Sequence, residues 1–356
     1  MSTKQHNFSI AFLSLAFVFS IVFIHSCSNG NSEKKENYKV DPLVKRALGS
    51  FSAISENAES AENPITEAKV LLGKTLYFDN RLSKNNTQSC NTCHNLSTFG
   101  VDNKATSAGD LGKNGTRNSP TVLNAAFHTS QFWDGRAKDV EEQAGMPITN
   151  PVEMNMPSES FVEERIKGIP GYQKLFADAF PGEENPIQFK NLKKAIGVFE
   201  RTLTTPTKFD KFLQGDAEAL TADEKAGLTK FMDIGCTTCH IGPAVGGTMF
   251  QRFPLVGDDY KSLTGSKIDD KGVMEVSKKE EDKYMFKVPT LRNIHKTAPY
   301  FHDGSVADLN SAIKIMAKLE LNKDISDDDV KSIALFLNTL TGEVKQQTAI
   351  SPKMPQ

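Results

Sequence analysis

Two short motifs in the sequence have the residue types and the spacing to hold a metal cofactor. Each contains two cysteines and a histidine in the pattern C-x-x-C-H: Cys90, Cys93 and His94, and Cys236, Cys239 and His240. Two thioether bonds attach a porphyrin to such a turn, and the adjacent histidine gives an imidazole ligand to its iron. A redox-active C-x-x-C pair is the alternative for each motif, but it does not require the histidine. Two covalently bound c-type haems are therefore predicted.

The fifth cysteine, Cys27, ends an apolar N-terminal segment. The stretch from Phe8 to Ile24 is apolar but too short to predict a membrane-spanning helix. We predict that residues 1–27 are a lipoprotein-type signal peptide and that Cys27 carries the lipid; an uncleaved anchor is the alternative. Both interpretations put the rest of the chain outside the cytoplasm, on the periplasmic side of a bacterial envelope. No cysteine is then left for a disulfide.

Composition and charge are those of a globular protein. The 356 residues are 38% hydrophobic and 24% charged, which is typical neither of a disordered chain nor of one that spans a membrane. The length suffices for two domains. The net charge of −2 provides no general attraction to nucleic acid or to an anionic membrane surface. We therefore expect no nucleic-acid partner, and contact with a membrane only through the lipid on Cys27.

Helical patterns precede both motifs and form the end of the chain. The clearest has a capping box, an apolar stripe and a terminating glycine: Thr221 with Glu224, then Leu228, Phe231 and Met232, then Gly235. Strand patterns are scarce, and no repeat has a period of 20–50 residues. We predict a mostly α fold with two cytochrome-c-like haem domains and long loops.

The predicted domain boundaries follow changes in composition. Polar and small residues at 212–221 separate two helical patterns, and few large apolar residues precede Leu43. After the signal peptide the predicted parts are a polar tether at residues 28–63, an N-terminal haem domain at 64–215, a C-terminal haem domain at 216–342 and a tail at 343–356.

Further segments, in order along the chain, resemble those of bacterial di-haem cytochrome c peroxidases. They are SCNTCHN, RNSPTVLNAAF, QFWDGRA, NPVEMN, AIGVFERTL, GCTTCH and FKVPTLRNIHKTAPYFHDG. The resemblance covers nearly all of residues 64–342, and several independent motifs in one order are stronger evidence than a shared fold. It implies an enzyme that reduces hydrogen peroxide to water with electrons from a small periplasmic cytochrome c or cupredoxin. It also implies that a homodimer is possible.

The resemblance gives the two haems different roles. The haem on His94 is implied to react with peroxide, and the haem on His240 to receive electrons. Met316 matches the second axial ligand of the C-terminal haem, and a methionine opposite a histidine raises the potential. The helical spacing of Met316 from Val306, Leu309 and Ile313 also fits an apolar helix face, where methionine usually packs in a core.

Three further residues match catalytic positions of the family. Glu153 matches the catalytic glutamate of the family, and Gln143 matches its polar neighbour in the same pocket. A buried carboxyl group has a raised pKa and can then move a proton near neutral pH. An ordinary surface charge is the alternative for Glu153. Trp133, the one tryptophan of the sequence, matches a residue between the two haems and is implied to help electrons cross. A ring that fills the domain interface is compatible with that role.

The resemblance also implies calcium between the domains. Its ligands would be a side-chain amide and main-chain carbonyl oxygens at Asn118, Thr297 and Pro299, which suit a hard cation. Turn formation is the alternative role of these residue types. His302 matches a family residue near the haem propionates. The motifs do not require His128 or His295, which we predict to be surface or packing residues.

The loop after the first motif departs from the family. Many relatives have a histidine sixteen residues after the haem histidine, which blocks the peroxidatic iron at rest; that position is Asp110 here. A carboxylate is a poorer ligand than imidazole for a low-spin haem iron. We predict an iron that is five-coordinate or water-bound at rest, and activity with little or no reductive activation. A shifted loop with His128 as the ligand is the alternative.

Two other functions use the same haem motifs. A non-catalytic di-haem electron carrier would need strong ligands on both irons, so that Glu153 and Gln143 would be incidental. A protein-modifying di-haem oxidase related to the peroxidases has a tyrosine in place of the distal methionine, and Met316 argues against it.

Overall fold

A computed structural model describes residues 41–257 and 260–356. The predicted signal peptide at 1–27 with its lipid-bearing Cys27, and the start of the predicted tether up to residue 40, lie outside the described residues. Within the described part, no helix is long and apolar enough to cross a membrane.

The described residues are mostly helical, as predicted. Their helices are α1 Pro42–Ala47, α2 Glu67–Tyr77, α3 Cys90–Cys93, α4 Val140–Thr149, α5 Glu159–Lys167, α6 Pro170–Ala179, α7 Phe189–Arg201, α8 Lys208–Leu213, α9 Ala222–Ile234, α10 Lys261–Thr264, α11 Met274–Ser277, α12 Leu309–Leu321, α13 Asp327–Asn338 and α14 Gln346–Ala349. Two short antiparallel strands, β1 Phe250–Arg252 and β2 Met285–Lys287, pair with Gln251 opposite Phe286.

The N-terminal haem motif belongs to a core built on α2 and α7. Thr66 caps α2 by accepting a hydrogen bond from the Lys69 backbone N–H. Gly73 lets the two helices touch, because a Cβ atom there would lie 1.9 Å from the Ala195 carbonyl oxygen. Helices α4, α5 and α6 pack around this pair, so that the core contains Leu72, Leu76, Tyr77, Ile148, Phe176, Leu192, Ile196 and Phe199.

The C-terminal haem motif follows α9, which packs on α13. The predicted capping box of Thr221 and Glu224 is confirmed, and α9 ends at Gly235 in the left-handed region with φ 107°. The buried face of α9 carries Leu228, Phe231 and Met232. These side chains pack in one core with apolar residues of α13 and α8: Phe209, Phe212, Ile333, Phe336 and Leu337.

The predicted tether is wrong from residue 42 to residue 63, where Ala58 and Asn63 are buried as well. Val44, Ala47 and Phe51 are buried in the C-terminal core, and the Phe51 ring lies 5.3 Å from that of Phe209. A few apolar residues suffice here because they share one face of α1 and the turn after it. The Ile54 backbone N–H also donates to Oδ1 of Asp210 at 2.9 Å.

Two other predicted boundaries need correction. Helix α8 lies before residue 215 but contributes Phe209 and Phe212 to the C-terminal core, so that core begins earlier than 216. The predicted tail, 343–356, folds back on the N-terminal half: the Gly171 backbone N–H donates to Gln356 O at 2.9 Å, and Nη1 of Arg81 donates to Pro355 O at 3.0 Å.

One segment occurs in both halves of the chain. Residues 117–137 and 286–306 align without a gap, with P-T-x-x-N and F-x-D-G in both. We call them the paired segments. Each contains a 3-10 turn, at Ala125–Phe127 and at Ile294–Lys296. Before each turn lies an asparagine in the left-handed region, Asn124 with φ 62° and Asn293 with φ 61°. This duplication is not a repeat of short period, because the two copies lie far apart in the chain.

The paired segments bind each other reciprocally. The Asn118 backbone N–H donates to His302 O at 2.8 Å, and the Lys287 backbone N–H donates to Trp133 O at 2.8 Å. Both of these donors and both acceptors stand at equivalent positions of the two copies. The hydroxyl of Thr205 joins the segments again: it accepts from Nδ2 of Asn124 at 2.8 Å and from Nδ2 of Asn293 at 3.0 Å. The junction between the two copies is therefore nearly symmetric in its backbone hydrogen bonds.

Candidate active site

A cavity in the N-terminal half brings together most of the residues predicted for peroxide chemistry. We call it the N-terminal cavity; its walls include Cys90, Cys93, His94, Gln143, Glu153, Glu200 and Trp133. Ser89 and Thr92 form a capping box on α3, and the His94 backbone N–H donates to Cys90 O at 2.9 Å. The Tyr77 hydroxyl donates to His94 O at 2.5 Å. The motif is thus held by its own helix cap and by a tyrosine of the core.

The chemistry of this motif fits a haem better than a dithiol. Burial lowers the pKa of His94, which favours the neutral imidazole that binds iron. Burial also raises the pKa of the Cys90 thiol well above its ordinary value. A redox-active C-x-x-C pair needs the opposite shift, towards a thiolate. The residues present therefore fit thioether attachment and axial ligation.

Glu153 lies in the N-terminal cavity and is not an ordinary surface acid. It follows the C-terminus of α4 in a tight turn, where its backbone N–H donates to Asn150 O at 3.1 Å. Nδ2 of Asn150 donates to Oε1 of Glu153 at 2.9 Å, which orients the carboxyl group. Burial raises the pKa of Glu153, although the charge of Arg136 and the Asn150 hydrogen bond oppose the shift. Gln143, on α4, reaches the same cavity.

A second acid in the N-terminal cavity is Glu200, which is not among the residues predicted for this site. It is 4% exposed, and burial, with the nearby charge of Glu141, raises its pKa to about 8. The adjacent Arg201 does not neutralise it, since Arg201 forms a bidentate ion pair with Glu141 at 2.7 and 2.8 Å. The sequence does indicate that Glu200 is buried, because it follows Ile196 by one helical turn and so lies on the apolar face of α7.

Asp110 does not line the N-terminal cavity. Its carboxylate accepts hydrogen bonds from the backbone N–H and Nδ2 of Asn85 at 3.1 and 2.8 Å, and from the Thr87 hydroxyl at 2.7 Å. Its own backbone N–H donates to Glu153 O at 2.7 Å. Gly109 allows this approach, because a Cβ atom there would lie 1.8 Å from Val152 O. The loop is therefore fastened to the segment that carries Glu153.

The alternative with His128 as the resting ligand is wrong. The structure places His128 in the wall of the other cavity, with Nδ1 3.1 Å from Nζ of Lys287. His295 also lies outside the N-terminal cavity, and its Nε2 contacts Ala334 O at 2.9 Å, which fits the predicted packing role.

The C-terminal cavity has a different set of side chains. We use this name for the cavity whose walls include Cys236, Cys239, His240, His302 and Met316. Burial lowers the pKa of His240 to about 4 and raises that of Cys236 to about 12, so this motif also fits a haem and not a thiolate pair. Met316 projects from α12, which Asp308 caps. Its place in the wall of the same cavity as His240 is what axial ligation requires.

Trp133 lies in the walls of both cavities. Its Nε1 donates to Asn118 O at 2.9 Å, which fixes the indole. The indole ring lies 6.4 Å from the imidazole of His302, and that imidazole stacks on Phe286 at 4.4 Å. Trp133 and His302 stand at equivalent positions of the paired segments. The aromatic groups between the two cavities thus come from both copies.

The residues predicted to bind calcium lie together in the wall of the C-terminal cavity: Asn118, Thr297 and Pro299. Nδ2 of Asn118 donates to the carbonyl oxygens of Lys104 and Ala105 at 2.9 and 3.3 Å. Among the described residues none donates to its Oδ1, which is therefore available to a cation. Calcium binding stays a prediction.

Sequence and structure comparisons identify the relatives of this chain. The model of the di-haem cytochrome c peroxidase family matches residues 67–218. The cytochrome c551 peroxidase of Pseudomonas aeruginosa is 45% identical over 319 residues, 89% of this chain and 91% of that protein. That of Nitrosomonas europaea is 46% identical over 311 residues, 85% of this chain and 90% of that protein.

A solved structure agrees with these relatives. A MauG-like protein associated with microbial copper homeostasis matches with a TM-score of 0.74 and 27% identity, over 84% of this chain and 97% of that one. The predicted fold class is confirmed. The chain belongs to the di-haem cytochrome c peroxidase family, and it is a peroxidase with two c-type haems.

Proposed function

We propose that peroxide is reduced in the N-terminal cavity with electrons that enter at the C-terminal haem. The observation that carries this connection is the position of Trp133 in the wall shared by the two cavities. His240 and Met316 suit a haem with both axial positions filled, which can change charge without changing its ligands. The N-terminal cavity has His94 on one side and polar groups, Glu153 and Gln143, that suit a reacting ligand.

Glu153 is the proposed acid–base residue. When bound, the haem of the N-terminal cavity would supply the iron at which the O–O bond is cleaved, with electrons passed on from the C-terminal haem. Glu153 would take a proton from one oxygen of peroxide and return it to the other, departing oxygen, and its raised pKa suits both steps. Asn150 holds Oε1 of the carboxyl group during this transfer. Gln143 orients the peroxide by hydrogen bonding.

The N-terminal haem needs little or no reductive activation in this proposal. Asp110 stands where many relatives have a blocking histidine, and its carboxylate is engaged by Asn85 and Thr87. The structure therefore supports a peroxide site that is open at rest. A bis-histidine low-spin N-terminal haem in the oxidised protein would contradict this part.

The remaining parts concern partners and place. We propose a small cytochrome c or cupredoxin as donor, the periplasmic side of a bacterial envelope as location, and a lipid anchor at Cys27. We also propose calcium at Asn118, Thr297 and Pro299, and a homodimer. The grouping of those three residues at one cavity wall supports the calcium site.

Steady-state peroxide consumption tests the proposal. With a reduced small cytochrome c as donor, the wild type should turn over, and Glu153→Gln should lower kcat by about 10²–10⁴-fold, since the general acid–base group is lost. The matched control is Glu159→Gln, which changes an exposed acid at the start of α5 and should leave kcat unchanged. A wild type that does not turn over would favour the electron carrier, and unchanged turnover in Glu153→Gln would exclude the assigned role.

A further inference from the structure

Lys287, in strand β2, is a buried cation that lacks an anionic partner. The residue is 7% exposed, and its Nζ lies 3.1 Å from Nδ1 of His128. None of the carboxylates in the described part of the chain forms an ion pair with it. Asp134 attracts it from a distance, but that carboxylate already pairs with Arg117 and Arg136. Burial lowers the pKa of Lys287 to about 8, which reflects this missing partner.

The cavity that Lys287 faces is the one that receives the C-terminal haem. Lys287 and Arg252 are the basic side chains in its described walls apart from histidines, and Glu320 is the acidic one. A haem brings two propionate carboxylates into such a cavity. A buried charge is stable only when it is paired, so an unpaired ammonium and an incoming carboxylate satisfy each other.

The paired segments give this cation a counterpart. Lys287 stands at the position equivalent to Asn118, and the two residues make the same reciprocal backbone hydrogen bond, to Trp133 O and to His302 O respectively. Asn118 is the amide proposed to bind calcium. With calcium bound beside Asn118, each copy would bring a positive charge to the junction: the metal ion in one copy and the covalently fixed ammonium of Lys287 in the other.

We propose that the Lys287 ammonium, held by His128, is the counter-ion of a propionate of the C-terminal haem and raises the reduction potential of that haem. A positive charge near the iron stabilises the reduced state, which carries one positive charge less. Lys287 thus acts as a positioning and tuning residue. The inference rests on the proposed role of the C-terminal haem as the entry point of electrons, because a raised potential favours acceptance from a donor.

A spectroelectrochemical titration of the full-length holoprotein tests this inference. Lys287→Met should lower the equilibrium constant for reduction of the C-terminal haem at least tenfold. For a one-electron couple this lowers the reduction potential by 59 mV. Lys287→Arg should keep the potential close to that of the wild type. The matched control, Lys279→Met, removes an exposed lysine and the same net charge, and should leave the potential unchanged. Each haem gives one transition in the titration. The transition that is also shifted in Met316→His is assigned to the C-terminal haem.

Equal potentials in Lys287→Met and Lys279→Met would overturn the inference. If Lys287→Met does not retain haem, Lys287→Gln and Lys287→Arg replace it, and a potential lowered by glutamine but not by arginine is then required. The titration contains neither peroxide nor a donor protein. Failure of the proposed electron route would therefore appear in turnover and not in this measurement, and the two ideas fail separately.

Discussion

Removal of the Asp110 carboxylate should loosen the peroxide site without affecting the haem attachment. The carboxylate accepts three hydrogen bonds, at 2.7, 2.8 and 3.1 Å, and hydrogen bonds to a charged group contribute about 1.5–3 kcal/mol each. The donors belong to Asn85 and Thr87, which are exposed, so water replaces the carboxylate in the variant. We therefore expect Asp110→Ala to lower the free energy of unfolding by only about 1–3 kcal/mol in total.

The larger effect of Asp110→Ala should be on turnover. The Asp110 backbone N–H donates to Glu153 O, so a loosened loop also loosens the segment that carries the Glu153 carboxyl group. Misplacement of a catalytic group by about 1 Å can lower the rate about 10²-fold. Steady-state peroxide turnover and chemical denaturation of the same preparations measure both effects. Asp110→Asn, which keeps part of the hydrogen bonding, should fall between wild type and Asp110→Ala.

The contribution of Asp110 to stability should depend on pH. Burial alone would raise the pKa of Asp110, but the hydrogen bonds from Thr87 and Asn85 outweigh it, so the pKa in the folded protein lies below the usual value. The contribution is therefore present above the unfolded pKa of about 3.9 and is lost as the pH falls through the lower, folded pKa. Wild-type turnover in Asp110→Ala, together with unchanged unfolding, would refute the role given to this loop.

Two further predictions concern buried polar groups. The pKa of Glu200 is about 8 in the folded protein, so its contribution to stability is complete below the unfolded pKa of about 4.3 and is lost as the pH rises through 8. Glu200→Gln should remove this loss, so that the free energy of unfolding changes less between pH 5 and pH 9. An unchanged pH profile in the variant would contradict the raised pKa. Thr205→Val should cost about 2–5 kcal/mol in chemical denaturation, because it leaves the buried amides of Asn124 and Asn293 without an acceptor. Thr202→Val, which removes one local hydrogen bond, is the control and should cost about 1 kcal/mol; equal losses in both variants would argue against the junction at Thr205.

Features that depend on neighbours in sequence were predictable. The C-x-x-C-H motifs and the capping box at Thr221 are complete within a few residues, so their chemistry follows from spacing alone. The resemblance of the motifs to the family also predicted which groups share a cavity. Glu153 and His94 line the N-terminal cavity, and Met316 and His240 line the C-terminal cavity.

Features that depend on distant partners were not predictable in the same way. Helix α1 is buried because Phe209 and other residues far along the chain receive its apolar face. Glu200 lacks a counter-ion because the adjacent Arg201 forms its ion pair with Glu141, on another helix. The departure at Asp110 was visible in the sequence, but its hydrogen bonds to Asn85 and Thr87 required the fold.

The central claim is that electrons pass from the C-terminal haem to peroxide in the N-terminal cavity. Stopped-flow mixing of peroxide with protein in which only the C-terminal haem is reduced tests it most directly. The account predicts that the absorbance of that haem shows its oxidation at a rate that rises with peroxide concentration, and that Glu153→Gln slows it about 10²–10⁴-fold. A C-terminal haem that stays reduced in excess peroxide, with the protein intact, would contradict the account.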